Sequence, residues 1–324
     1  MRISTFLPHV GVFGGVRRFL ELGNAWTAMG HEVTLYHPQG TAPGWLPFSG
    51  AARPLAAAAA AEADLAVCGD AGTLDAFLAH RASRHLYYCV IEGDPGVARA
   101  AARPGVRLAA NSGALRRAVE RRTGRPVLDG IGGINLRQFR PDPSRRAATP
   151  LRVLLNGRRS RAKKGTDLLL AALRALEGRV PPFEILLFDT LGPENRQDPR
   201  DGAPLPARAR FVIDPTQEEL TALYQSAHVF AAAERKAGWC NTALEAMACG
   251  AAVVCTRSGT QDFARDRENA LVVPVRHPWF LARGLRRVLG DEALRESLGA
   301  RATEATPPWS WDRVARRLLE QLET

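Results

Sequence analysis

Lysine is almost missing from this chain of 324 residues: three of its 44 basic side chains are lysine and the rest are arginine. With 33 acids the formal net charge is +11, enough to attract acidic partners. An arginine-only preference in an alanine-rich chain is also what a coding bias leaves, so charge alone selects no function. Aromatics are scarce at 7%, and no basic-aromatic interleaving or recognition module accompanies the charge, which argues against nucleic acid. No apolar run approaches the ~20 residues a membrane helix needs, and the N-terminus enters a strand instead of a basic-then-apolar signal. That places the protein in the cytoplasm, with the inner membrane face open to it as a peripheral site. Cysteine is sparse and unpaired in pattern: Cys68, Cys89, Cys240, Cys249 and Cys255 form no CxxC and read as reduced, buried thiols. Also missing are a GxGxxG after the first strand, a Ser/His/Asp order and a cluster of metal-ligand type, so no metal or cofactor is expected.

What is present is a globular composition, 46% apolar and 24% charged, in a chain long enough for two cores. Strands are expected over 2–7, 32–37, 64–68, 85–91 and 106–111, with helices over 16–29 and 73–80. A further helix, capped by Ser112, carries Arg116, Arg117, Arg121, Arg122 and Arg125 on its exposed side. Such a run is either a solvated face or a rest for anionic lipid. Adjacent Gly14 and Gly15 at a helix start let backbone amides approach a phosphate or a sugar. Glu92 and Asp94 follow a strand's C-terminal end, where parallel sheets bind ligands, although a cap and turn would account for them equally.

Proline and charge without periodicity mark 143–150 as a linker between a first domain over 1–142 and a second over 151–306, followed by a last helix in 307–324. The second series opens with a strand over 151–156 and a basic loop, GRRSRAKKG, in which Thr166 is expected to cap the next helix. Two of the three lysines fall there, and a compact ammonium suits a phosphate. Strands over 183–189, 211–213 and 228–233 follow. Residues 231–255 then read strand, glycine loop, helix, strand: Asn241 or Thr242 caps the helix, Leu244, Met247 and Ala248 share a face, and Gly250 stops it. Glu245 lies off the apolar stripe, suited to accept hydrogen bonds from a ribose diol, or simply solvated. Two strand-helix series joined by a linker predict an α/β fold of two doubly wound, Rossmann-like parallel-sheet domains facing a cleft.

The order of these features resembles the retaining glycosyltransferases of family 4, which have the GT-B architecture. Gly14-Gly15 with Gly30-His31-Glu32-Val33, Asn111-Ser112, Gly157-Arg158 with Lys164-Gly165, and Leu244-Glu245-Ala246-Met247-Ala248-Cys249-Gly250 carry the likeness across nearly the whole chain. The resemblance implies a hexosyltransferase-type enzyme. It would move a sugar from a nucleotide-diphosphate sugar to a glycan, a lipid-linked or a small-molecule acceptor in glycan biosynthesis, with retention and without a metal. Donor contacts would come from Arg158 and Lys164 on the diphosphate, Gly238, Trp239, Cys240 and Asn241 around it, and Glu245 on the ribose. The Gly14-Gly15 loop would close over sugar and phosphate, and the base would rest near Val212 and Asp214. Acceptor contacts fall to the first domain, with Glu92 and Asp94 as candidates, and the last helix would cross back to that domain. One departure stands out, since the family pairs two glutamates eight positions apart and Ala237 occupies the first. Glu234, three residues earlier, is the candidate to take over the sugar contact as the catalytic acid. Alternatives are a sugar-nucleotide epimerase or hydrolase of the same fold, or a non-catalytic nucleotide-sugar-binding partner.

Overall fold

The computed structural model describes residues 1–324 apart from 147–148, 192–197, 199, 201–203 and 324. It divides into two compact units, Met1–Gly133 with Trp309–Thr324, and Ile134–Pro308.

The first unit begins with β1 (Arg2–Phe6), α1 (Gly14–Ala28), β2 (Glu32–His37), β3 (Ala51–Pro54) and β4 (Glu62–Cys68). It continues through α2 (Leu74–Ala79), β5 (Arg81–Cys89), α3 (Gly96–Ala101), β6 (Val106–Ala110), α4 (Gly113–Thr123) and β7 (Val127–Asp129). All seven strands are parallel, in the order β3-β2-β1-β4-β5-β6-β7. A parallel sheet needs both faces covered. On one face α1 lays Phe19, Leu20 and Trp26 against Ile3, Leu35, Leu65 and Tyr88, joined by Trp311, Val314 and Leu318 of the C-terminal helix. On the other, Phe6, Tyr87, Leu108 and Val127 meet Leu74, Phe77, Leu115 and Val119.

In the second unit β8 (Leu151–Asn156), α5 (Thr166–Arg174), β9 (Phe183–Asp189), β10 (Ala209–Ile213) and α6 (Gln217–Ser226) come first. They are followed by β11 (Val229–Ala232), α7 (Asn241–Ala248), β12 (Ala252–Cys255), β13 (Leu271–Val272), α8 (Pro278–Gly290) and α9 (Glu292–Glu304). The strands are again parallel, ordered β10-β9-β8-β11-β12-β13. Counted from its own first strand, the first sheet therefore runs 3-2-1-4-5-6-7 and the second 3-2-1-4-5-6, and in each the order reverses beside that first strand. Alternate residues Leu151, Val153 and Leu155 of β8 bury against Leu169, Leu170 and Leu173 of α5 and Leu281 and Leu285 of α8.

The last helix, α10 (Trp311–Glu323), belongs to the first unit. Arg18, 2% exposed, explains how: its guanidinium donates to Tyr88 Oη and to the Gly132 carbonyl and lies 5.0 Å from the Trp311 ring. Trp26 Nε1 donates to the Ala315 carbonyl. Gly132 and Gly133 both have φ above +120°, and a Cβ on Gly133 would stand 2.3 Å from the Trp311 ring, so glycine is required for that close approach.

Several local expectations change. Residues 134–142 pack in the second unit, where Phe139 meets the Tyr224 ring edge-on and Gln138 donates to Gln217 and Thr221. Part of the expected linker, 147–148, lies outside the described residues, as does most of the polar loop before β10. Thr166 is not a cap: Gly165 precedes α5 in the left-handed region, and the Thr166 hydroxyl donates to the Asn156 carbonyl. Neither Asn241 nor Thr242 caps α7, whose N-cap is Cys240 with no side-chain bond. Ser112 does cap α4, accepting from Leu115 N. The five cysteines are free and buried. Among the described residues no helix is long and apolar enough to cross a membrane.

The basic run on α4 is divided. Arg125 lies beyond the helix and donates to the carbonyls of Ala101, Arg103 and Val106, so it is a strap between loops and not part of an exposed face. Arg116 pairs with Glu120 at 3.1 Å, and Arg117, Arg121 and Arg122 are exposed.

Candidate functional site

Ligands of doubly wound sheets bind beyond the strands' C-terminal ends, where the strand order reverses. In the second unit that point lies between β8 and β11. The loops leaving these strands, 157–165 and 233–240, are the two that carry the GR…KG and glycine-turn motifs.

The first loop is shaped by its glycines. A Cβ on Gly157 would stand 2.2 Å from Phe211 Cζ, and one on Gly165 would stand 2.3 Å from the Ala233 carbonyl oxygen. Gly165 also has φ +75°, so only glycine lets the loop lie this close to its neighbour without strain. Lys164, just before it, reaches across to Glu234: Nζ to Oε1 is 2.7 Å. Arg158 turns the other way and makes a forked ion pair with Asp189 at the end of β9. Nη2 lies 2.8 Å from Oδ1, and Nε is 3.0 and 3.3 Å from the two oxygens. Both cations named in the sequence are thus held by a carboxylate, a second layer that fixes their orientation.

The second loop is anchored on several sides. Arg235 N donates to the Lys163 carbonyl, Ala237 N to Ser258 Oγ, and Cys240 N to the Gly259 carbonyl. Arg276, after β13, spans both loops: Nε donates to the Ala233 carbonyl and Nη2 to the Ala162 carbonyl, each at 2.5 Å. Trp239 is buried edge-on against Phe263, and Gly238 and Asn241 are partly exposed. Cys240 Sγ lies 3.6 Å from Glu234 Oε1. Burial, then the Glu234 charge, pushes its thiol far above the usual range, so it stays neutral and is no nucleophile. Burial and Glu245 push Cys249 up to about 12.

Glu245, one turn into α7, is 6% exposed and so is not the solvated acid the bland reading allowed. Its Oε2 accepts from Tyr224 Oη at 2.8 Å, and the Tyr224 ring is wedged among Phe139, Phe188 and Phe230. The carboxylate is therefore oriented from behind. Asp214 stands at the same sheet edge, with its amide on the Asp189 carbonyl and its Oδ1 accepting from Leu191 N. Val212 does not join it, because strand alternation turns its side chain to the α6 face, into a groove of about 770 Å³ with Leu186, Arg210 and Leu223.

The remaining candidates lie in the first unit. Gly14 and Gly15 begin α1, whose N-cap, Phe13, has no side-chain bond and whose first turn holds no acid, leaving its amides free. Asp94 is committed internally. It is 3% exposed, Oδ2 accepts from Tyr87 Oη at 2.6 Å, and Oδ1 accepts from Gly96 N at the start of α3. The cap-and-turn reading describes it, while Glu92 is exposed. Asp189, Tyr224 and Arg276 were missed by sequence reasoning. Only the distance in space of each from its partner makes it part of the site, and no local pattern marks them.

The geometry and the comparisons agree on the class. The family model described as glycosyl transferases group 1 matches residues 141–305, just over half of the chain, and the chain belongs to that family. Among curated relatives it is similar to a D-inositol 3-phosphate glycosyltransferase of Salinispora arenicola, 32% identical over 168 residues, 48% of this chain and 38% of that one. It is also similar to a phosphatidyl-myo-inositol mannosyltransferase of Mycolicibacterium smegmatis, 32% identical over 177 residues, 53% and 45% of the two chains. The matched part thus spans less than half the length of these relatives. Among solved structures, Anabaena Alr3699/HepE in complex with UDP and glucose shares the fold at TM-score 0.80 and 16% identity, with 100% and 99% of the chains covered. The chain belongs by sequence to the glycosyl transferases group 1 family and has the GT-B fold.

Proposed function

We propose that this glycosyltransferase moves a hexosyl group from a nucleotide-diphosphate sugar to an acceptor hydroxyl with retention of anomeric configuration and without a metal ion. The observation that carries the reading is the 2.7 Å pair of Lys164 and Glu234, which sets a phosphate-type cation and a buried acid side by side where the strand order reverses. Lys164 and Arg158 take the diphosphate, the Asn241 amide at the start of α7 adds to its cradle, and Glu245 accepts from the ribose hydroxyls. Asp214 borders the base. Uracil and glucose are the first donor components to test, because a protein of the same fold is described with UDP and glucose.

Glu234 stands in for the acid absent at Ala237 and contacts the transferred sugar. No nucleophile is assigned, since the one thiol beside Glu234 is held neutral. The acceptor oxygen then attacks from the face the diphosphate leaves, its proton passing to the departing phosphate oxygen, and fixed positive charge stabilises that leaving group. The test is release of UDP from UDP-glucose with the product's anomeric configuration followed by NMR. Acceptor-dependent release with the donor's configuration kept supports the reading. Equal release without an acceptor assigns a hydrolase instead, and inversion overturns the retaining step.

A further inference from the structure

The two sheet edges differ sharply in charge. Loops leaving the C-terminal ends of the second unit's strands hold Arg158, Arg159, Arg161, Lys163 and Lys164, then Arg235, Lys236, Arg257 and Arg276. The corresponding loops of the first unit are residues 7–13, 38–50, 55–61, 69–70, 90–95, 111–112 and 130–133, and they contain no lysine or arginine at all. In a chain of net charge +11 that is a departure from its own composition. Their ionisable residues are His9 and the acids Asp70, Glu92 and Asp94. The cations that reach these loops from outside are committed: Arg18, 2% exposed, donates to the Gly132 carbonyl, Arg317 donates to the Ile131 carbonyl and pairs with Asp129 at 3.4 Å, and Arg17 in the first turn of α1 is 8% exposed, stacked over Trp45 and 4.0 Å from Glu21.

The same edge exposes apolar surface. Val12 is 43% exposed, Phe13 40% and Ile91 53%, half of the six large exposed apolar residues among those described. A Cβ at Gly15 would lie 3.4 Å from the Phe13 ring and 3.9 Å from Val90, so the loops after β1 and β5 are neighbours here. Beside them Asn111 donates from Nδ2 to the Val90 carbonyl, while its buried Oδ1 has no partner among the described residues and suits a donating hydroxyl.

Resting on the glycosyltransferase reading above, we infer that the acceptor bound at this edge is an uncharged, hydroxyl-bearing molecule with an apolar portion, such as an alkyl-linked sugar. A phosphorylated acceptor would meet the acids Asp70 and Glu92 and no cation belonging to these loops, whereas an apolar tail would cover Val12, Phe13 and Ile91. The selectivity thus comes from the charge missing at one edge as much as from the apolar surface present.

Direct binding tests this without a donor. The full chain is titrated by calorimetry with octyl glucoside below its micellar concentration, with methyl glucoside and with glucose 6-phosphate. Octyl glucoside is expected to bind saturably and about tenfold or more tighter than the other two, since burial of roughly two methylenes suffices for that ratio. Val12→Ser with Ile91→Ser, both at exposed positions, is expected to remove that advantage with no change in Tm. Glucose 6-phosphate binding as tightly, octyl glucoside failing to saturate, or a double variant that keeps the full preference overturns the inference. The outcomes stay separate from the functional reading: saturable octyl glucoside binding by a chain that binds no nucleotide sugar would leave the surface standing and sink the transferase assignment.

Discussion

At the scale of single residues the site is a set of cations oriented by acids. Lys164 and Glu245 were legible in the sequence, because a lysine in a chain that chooses arginine and an acid just inside a helix start are local signals. Their partners were not. Tyr224 lies 21 residues before Glu245, Asp189 lies 31 after Arg158 and Arg276 lies 43 after Ala233, so only the folded sheet brings them together. The pairing also sharpens what Glu234 does. Glu234→Gln removes the charge facing Lys164, leaving that ammonium free for a diphosphate. The expected result is a loss of about 100-fold in kcat, with UDP binding unchanged or tighter by calorimetry. Full activity in that variant would return Glu234 to a purely structural role.

Among the elements, the strands and helices with strong periodicity fell where the sequence placed them. Those missed are short or alanine-rich: β3 is the four-residue edge strand Ala51–Pro54, β7 spans Val127–Asp129, and α3 is six residues long. None carries enough apolar alternation to register, and each is held by neighbours already in place. The Ser112 cap was read correctly, whereas those expected of Thr166 and of Asn241 or Thr242 were not, because Gly165 and Cys240 hold the positions before α5 and α7.

One element contact sets a pH dependence. His80, at the end of α2, is 4% exposed, with Nδ1 on the Ala58 carbonyl and Nε2 on Ser4 Oγ. Burial, then the charges of His85 and Arg81 against the opposing Ala58 bond, lowers its pKa below 6.5. The unfolded chain therefore binds the proton first: the stability His80 confers is full above the unfolded pKa and is lost as pH falls below about 6.5. Thermal unfolding should show Tm dropping between about pH 7.5 and about pH 5.5, and dropping less in His80→Gln. An identical drop in the variant would show that other groups carry the dependence.

For the whole molecule, two doubly wound series were readable from the order of strand and helix signals, and so was the family likeness. The boundary was not. Residues 134–142 belong with the second unit because Phe139 reaches Tyr224, a contact that proline and charge patterns cannot announce. Nor did net charge by itself inform, whereas its distribution does, with cations in the loops at one sheet edge and none among the loop residues at the other.

The proposed donor site depends on the loops after β8 and β11 holding a nucleoside diphosphate through Lys164. Calorimetric titration of UDP, GDP and ADP into the native chain and Lys164→Gln tests it most directly. Saturable binding of at least one of them is expected, weakened about tenfold or more by the substitution, about 1.4 kcal/mol. No binding of any of the three, or equal affinity in the variant, would contradict it.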